Sequence, residues 1–75
     1  QLNMIDQLAE NILKEPEFRK NGFVWKHIEQ GSADPLRSVQ SAVDRMRELH
    51  DIEDNQFGPL CNLVYEKLIK IVSKS

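Results

Sequence analysis

Apolar residues in this chain recur three and four positions apart and nowhere alternate one for one with polar residues. That periodicity predicts helices and no sheet. Ile5, Leu8, Ala9, Ile12 and Leu13 form the stripe of a first helix over Asn3 to Lys14, with Asn3 as N-cap and Asp6 in its first turn. Glu15-Pro16 stops it, because proline lacks an N–H and disfavours helical geometry in the residue before it. Pro16 to Lys20 is expected to make a short helical turn anchored by Phe18, and Asn21-Gly22 ends that turn. A second, short helix runs from Phe23 to Gln30. Val24 and Ile28 lie on one line of it, Phe23 and Trp25 project to either side, and Gly31 closes it.

Asp34-Pro35 joins a capping residue to a proline suited to the first helical position, and so opens a third helix. Leu36, Val39, Val43, Met46 and His50 carry its narrow seam to about Asp51, bordered by Ala42, Leu49 and Ile52. Arg37, Gln40, Ser41, Asp44, Arg45, Arg47, Glu48 and Asp51 make the opposite, solvent-facing side. An acidic loop follows over Asp51 to Gln56, and Gly58-Pro59 is expected to restart the chain as a last helix.

That last helix contains the densest apolar stretch, Phe57 to Val72. At 100° per residue its apolar side chains cover more than half of the circumference, whereas a surface helix needs a stripe only about 100° wide. Such a helix must touch several neighbours, or a neighbour and a partner. The expected fold is all-α: a small compact bundle of about four helices, three long and one short, with short loops, forming a single domain over residues 1–75. The alternative is a helical-repeat fragment whose last helix meets the next repeat.

Composition adjusts this picture in a few places. At 75 residues the chain is close to the lower size limit for a self-supporting core. A hydrophobic content of 40% beside 29% charged residues is ordinary for a folded domain. The net charge of −2 does not advertise nucleic acid. Cys61 is the single cysteine, so no intramolecular disulfide can form, and its place within the apolar helix suggests a buried thiol. A reducing, intracellular compartment, cytoplasm or nucleus, is the resulting expectation. No apolar run reaches the length of a membrane span, and no leader pattern is present. Beginning at Gln1 and turning helical almost at once, the chain reads as a domain excised from a larger protein.

The chemistry-bearing residues form no catalytic or metal pattern. His27, His50 and Cys61 lack the close spacing of a structural zinc site. The loop beginning at Asp51 has Gln56 and Asn62 where a calcium loop needs glycine and a carboxylate. Only Gly22, Gly31 and Gly58 are present, and they make no phosphate-cradling loop. No cofactor, no metal and no enzymatic activity are expected.

Two short resemblances bear on function. His27-Ile28-Glu29-Gln30-Gly31-Ser32 is similar to the His-x-x-Lys-Gly-Ser stretch of histidine phosphotransfer domains, with Gln30 in place of the lysine. Ser38 to Leu49 resembles the third helix of winged-helix proteins, although no strand-turn-strand wing follows Ile52. The second resemblance implies an alternative function, a helix-turn-helix-like nucleic-acid-binding domain that uses Pro35–Asp51 with Arg37, Arg45 and Arg47 as contacts. Asp44, Glu48 and Asp51 on the same face would repel phosphate.

The apolar surplus favours a different reading. Five aromatic residues accompany a large aliphatic set in a chain with little volume to bury them, and aromatic residues are the usual anchors of protein interfaces. The expected function is therefore a non-enzymatic, regulatory protein–protein interaction module. A partner helix or peptide would lie in an apolar groove beside the C-terminal helix, against Phe23, Trp25, Phe57, Leu60, Leu63, Tyr65 and Ile69.

Overall fold

The computed structural model describes residues 4–75. Helix α1 spans Met4–Ile12, α2 Phe23–Glu29, α3 Pro35–Arg45 and α4 Asp54–Lys74, and a single 3-10 turn covers Pro16–Phe18. No strand is present among the described residues, and the fold is the small all-α bundle expected from the periodicity. The proposed N-cap Asn3 lies outside the described residues.

The chain reverses between α1 and α2 through the 3-10 turn. Pro16 supplies its first position, and Asn21 then takes a left-handed φ of 72°. Gly22 caps α2 where its backbone passes against that turn: a Cβ built on Gly22 would lie 2.3 Å from the Pro16 carbonyl oxygen. At the far end of α2, Gly31 adopts φ 72° and the Ser32 N–H donates to the His27 carbonyl, a helix-ending bond that needs the left-handed residue. The Asp34 carboxylate then accepts from the Arg37 N–H and starts α3, as the Asp-Pro pair predicts. Asp34→Ala removes that cap and should lower stability by about 1 kcal/mol, measurable as a shift in the urea midpoint.

Two boundaries differ from the sequence reading. Helix α3 ends at Arg45 rather than continuing to Asp51. Residues 46–51 form successive turns, Asp51 takes φ 56°, and the Ile52 N–H reaches back to the Arg47 carbonyl. A left-handed aspartate thus performs the closure that glycine performs after α2. The turns keep Met46 and Ile52 in the core, which is why the seam reads on past the helix. Leu49, placed on the border of that seam, instead faces solvent at 74% exposure.

Helix α4 begins at Asp54, four residues before Gly58-Pro59, so half of the expected acidic loop is helical. The device is a capping box. The Glu53 side chain accepts from the Gln56 N–H while the Gln56 side chain accepts from the Glu53 N–H at 2.9 Å. Pro59 therefore sits inside the helix, still near its start, where the missing N–H costs one intrahelical bond. Gly58 precedes it, and a Cβ there would meet nothing within 4 Å apart from its chain neighbours. Gly58→Ala gains helix propensity but places a Cβ directly before a proline in a helix, so the two effects should largely cancel and leave the urea midpoint little changed.

One core closes the bundle. Ala9 and Ile12 of α1, Phe18 of the 3-10 turn, Val24 and Trp25 of α2, and Val39, Ala42 and Val43 of α3 meet Leu60, Cys61, Val64 and Leu68 of α4. Helix α4 packs on each of α1, α2 and α3, and so its wide apolar face is accounted for by three neighbours. Lys67 donates to the Glu10 carboxylate at 2.9 Å, joining α4 to α1, and that hydrogen bond holds the lysine above its ordinary pKa.

Candidate functional site

Of the seven apolar residues expected to meet a partner, two are core. Leu60 is fully buried, and Trp25 is 5% exposed with its indole N–H meeting no acceptor among the described residues. Each is held by the bundle, so neither side chain is available to a partner. Phe57, Leu63 and Tyr65 are half-buried and pack against the core. Ile69 is half-buried on α4. Among the described residues there is no enclosed pocket. The α4 surface that remains is the half-buried flank of Phe57, Leu63, Tyr65 and Ile69.

Phe23 is the exception. At 52% exposure it stands out from the first turn of α2, with its ring tilted against the His27 ring at 4.3 Å between centroids. His27 Nδ1 shares a hydrogen bond with the Ser38 hydroxyl of α3. The aromatic platform is therefore pinned from below: α3 holds the imidazole, the imidazole supports the phenyl ring, and Gly22 fixes where the helix begins. Arg19, Lys20 and Lys26 surround it in sequence, all exposed and without an ion pair among the described residues.

The arginines of the nucleic-acid alternative are largely engaged. Arg45 forms an ion pair with Glu17 of the 3-10 turn. Arg47 lies after α3, with Asp44 at 3.3 Å and Asp54 at 3.0 Å, and its guanidinium sits 4.4 Å from the Phe57 ring centre. That guanidinium ties the end of α3 to the start of α4. Arg37 alone of the three is exposed without an ion pair among the described residues.

Neither histidine assembles with Cys61, and no group of three or more metal-ligating side chains occurs among the described residues. His50 donates from Nε2 to the Glu15 carboxylate at 2.7 Å, linking the turns after α3 to the segment after α1. Gln30 and Ser32 lie at the close of α2, a short helix unlike the long one on which a phosphotransfer histidine rides. Cys61 is buried, and burial pushes its thiol up to about 11, against the formation of a thiolate. Because the folded-state pKa is raised from 9.0, stability should be full below about pH 9 and fall as the pH rises toward 11. Urea titrations across that range should show the decline in the native chain and a flatter profile in Cys61→Ala.

No helix among the described residues is long and apolar enough to cross a membrane. No protein-family model, curated protein or solved structure matches the chain.

Proposed function

We propose that this domain is a non-enzymatic protein-interaction module that engages its partner on a shallow surface centred on Phe23. The observation that carries the reading is the contrast between Phe23 and the other large aromatic residues. Phe18 and Trp25 are buried, Phe57 and Tyr65 are half-buried, and Phe23 is held outward on a platform built by His27 and Ser38. A rigid exposed aromatic ring loses little conformational entropy on binding, which is why such residues anchor interfaces. The half-buried flank of Tyr65 and Ile69 on α4 offers a second, weaker apolar strip. The pairing of Arg45 and Arg47 with carboxylates weighs against the nucleic-acid alternative, because phosphate would have to displace a carboxylate from each cation.

Selection of displayed peptides against the immobilised domain tests this reading. The expected result is enrichment of peptides whose binding is lost in Phe23→Ser and retained in Arg37→Ala, both variants keeping the native circular dichroism spectrum. Peptides that bind equally to Phe23→Ser, or failure to enrich any peptide, would overturn it.

A further inference from the structure

We infer that the Phe23 surface is built to receive a second copy of this same chain, through the exposed Leu49 and its acidic surroundings; the inference rests on the interaction reading above and names the partner. Two exposed apolar side chains carry it. Phe23 lies in a segment, Arg19 to Gln30, that holds three cations, Arg19, Lys20 and Lys26, against the single carboxylate Glu29. Leu49 lies in a segment, Glu48 to Asp54, that holds Glu48, Asp51, Glu53 and Asp54 and no lysine or arginine. Glu48 and Asp51 are exposed and make no ion pair among the described residues, as is also true of the three cations. Arg47 stands just before the Leu49 segment and is taken up by Asp44 and Asp54, so the charges left unpaired beside Leu49 are acidic and those beside Phe23 are basic. The two most exposed apolar groups outside α1 thus stand in segments whose unpaired charges are opposite in sign.

The fold joins the two segments through the turn after α1. The segment from Glu15 to Glu17 touches each side. Glu15 is hydrogen-bonded to His50, the neighbour of Leu49, and Glu17 pairs with Arg45. The Pro16 and Glu17 backbone lies against Gly22, the neighbour of Phe23. Two segments of opposite unpaired charge that meet at one turn suit a two-fold axis. Rotation of a second copy places its Leu49 on Phe23 and its Phe23 on Leu49, so that each contact is made twice in one closed interface. Opposite charges at the rim then steer encounter and fix register. The apolar area at stake is small, and the dimer should be weak and dependent on concentration.

Sedimentation velocity on the full chain tests this. The sedimentation coefficient should rise with protein concentration at low salt, and the rise should shrink when salt is raised from about 0.05 to about 0.5 M as the charges are screened. Phe23→Ser and Leu49→Ser should each weaken association at least about tenfold. Both positions are exposed, and unchanged thermal melts will establish that these variants stay folded. The decisive arm is a charge exchange: Lys26→Glu and Glu48→Lys should each weaken self-association, and an equimolar mixture of the two should recover it. A chain that stays monomeric at every concentration, or that associates with no dependence on Phe23 and Leu49, overturns the inference. The peptide selection is independent of this result: peptides lost with Phe23→Ser from a chain that does not self-associate would leave the module reading standing and remove only the second copy as its partner.

Discussion

Leu68→Ala is expected to lower the free energy of unfolding by about 2–5 kcal/mol. Leu68 is fully buried on α4 within the cluster to which all four helices and the 3-10 turn contribute. Truncation deletes buried methyl groups and leaves a cavity that neighbours on several helices would have to move together to fill. Domains of this kind have a total stability of about 5–15 kcal/mol, so the variant should retain only a part of it, or fail to fold at 37 °C. Urea denaturation followed by Trp25 fluorescence reads the loss directly as a lower midpoint at constant slope. An unchanged midpoint would mean that α4 does not pack through this face.

Gly22→Ala is the second large effect, and it arises from backbone rather than from apolar packing. The added Cβ would lie 2.3 Å from the Pro16 carbonyl oxygen, 2.6 Å from that of Glu17 and 2.7 Å from the Glu17 carbonyl carbon. All three are main-chain atoms, so no side chain can rotate out of the way. Pro16 fixes the start of the 3-10 turn, and Phe18, two residues on, is buried in the core. Relief of the clash must therefore displace either the turn with its Phe18 or the start of α2 with Val24 and Trp25. Overpacking of this kind costs about 1–3 kcal/mol and at times more. The internal comparison is Gly58→Ala, whose added Cβ meets no such main-chain atoms and should leave the midpoint little changed.

The two boundary differences have one cause. Sequence reading locates helix ends by their commonest residues, and this chain uses less common ones at both sites. After α3 the left-handed residue is Asp51, not glycine or asparagine, and nothing in Leu49-His50-Asp51-Ile52 breaks the apolar spacing. Before α4 the capping box is Glu53 with Gln56, without the serine or threonine that usually flags one, and the proline that marks a start in α3 lies inside the helix in α4. Where the ends follow the common chemistry, as at Asp34-Pro35 and Gly31, sequence and structure agree.

The candidate site was legible only in part, for a related reason. Periodicity tells which side of a helix is apolar but not how much of that side the neighbours cover. Trp25 and Leu60 are covered and Phe23 is not. The misassigned Leu49 illustrates the point most clearly: it keeps helical spacing with Met46 but lies beyond the end of α3, where the turn points it outward. The signal within the sequence was charge, since Phe23 has basic neighbours and Leu49 acidic ones.

The helix on which α1, α2 and α3 all pack is the last of the five elements in chain order. Translation therefore delivers the other elements before the surface that closes their core. Until Asp54–Lys74 has left the ribosome, Ile12, Val39 and Val43 have no α4 to bury against, and only the local pairings of α2 with the 3-10 turn and with α3 can form. The nascent chain should behave as a client for chaperones until synthesis reaches α4, and then collapse in one step, because contacts distant in sequence repay their loop-closure cost only when both ends are present.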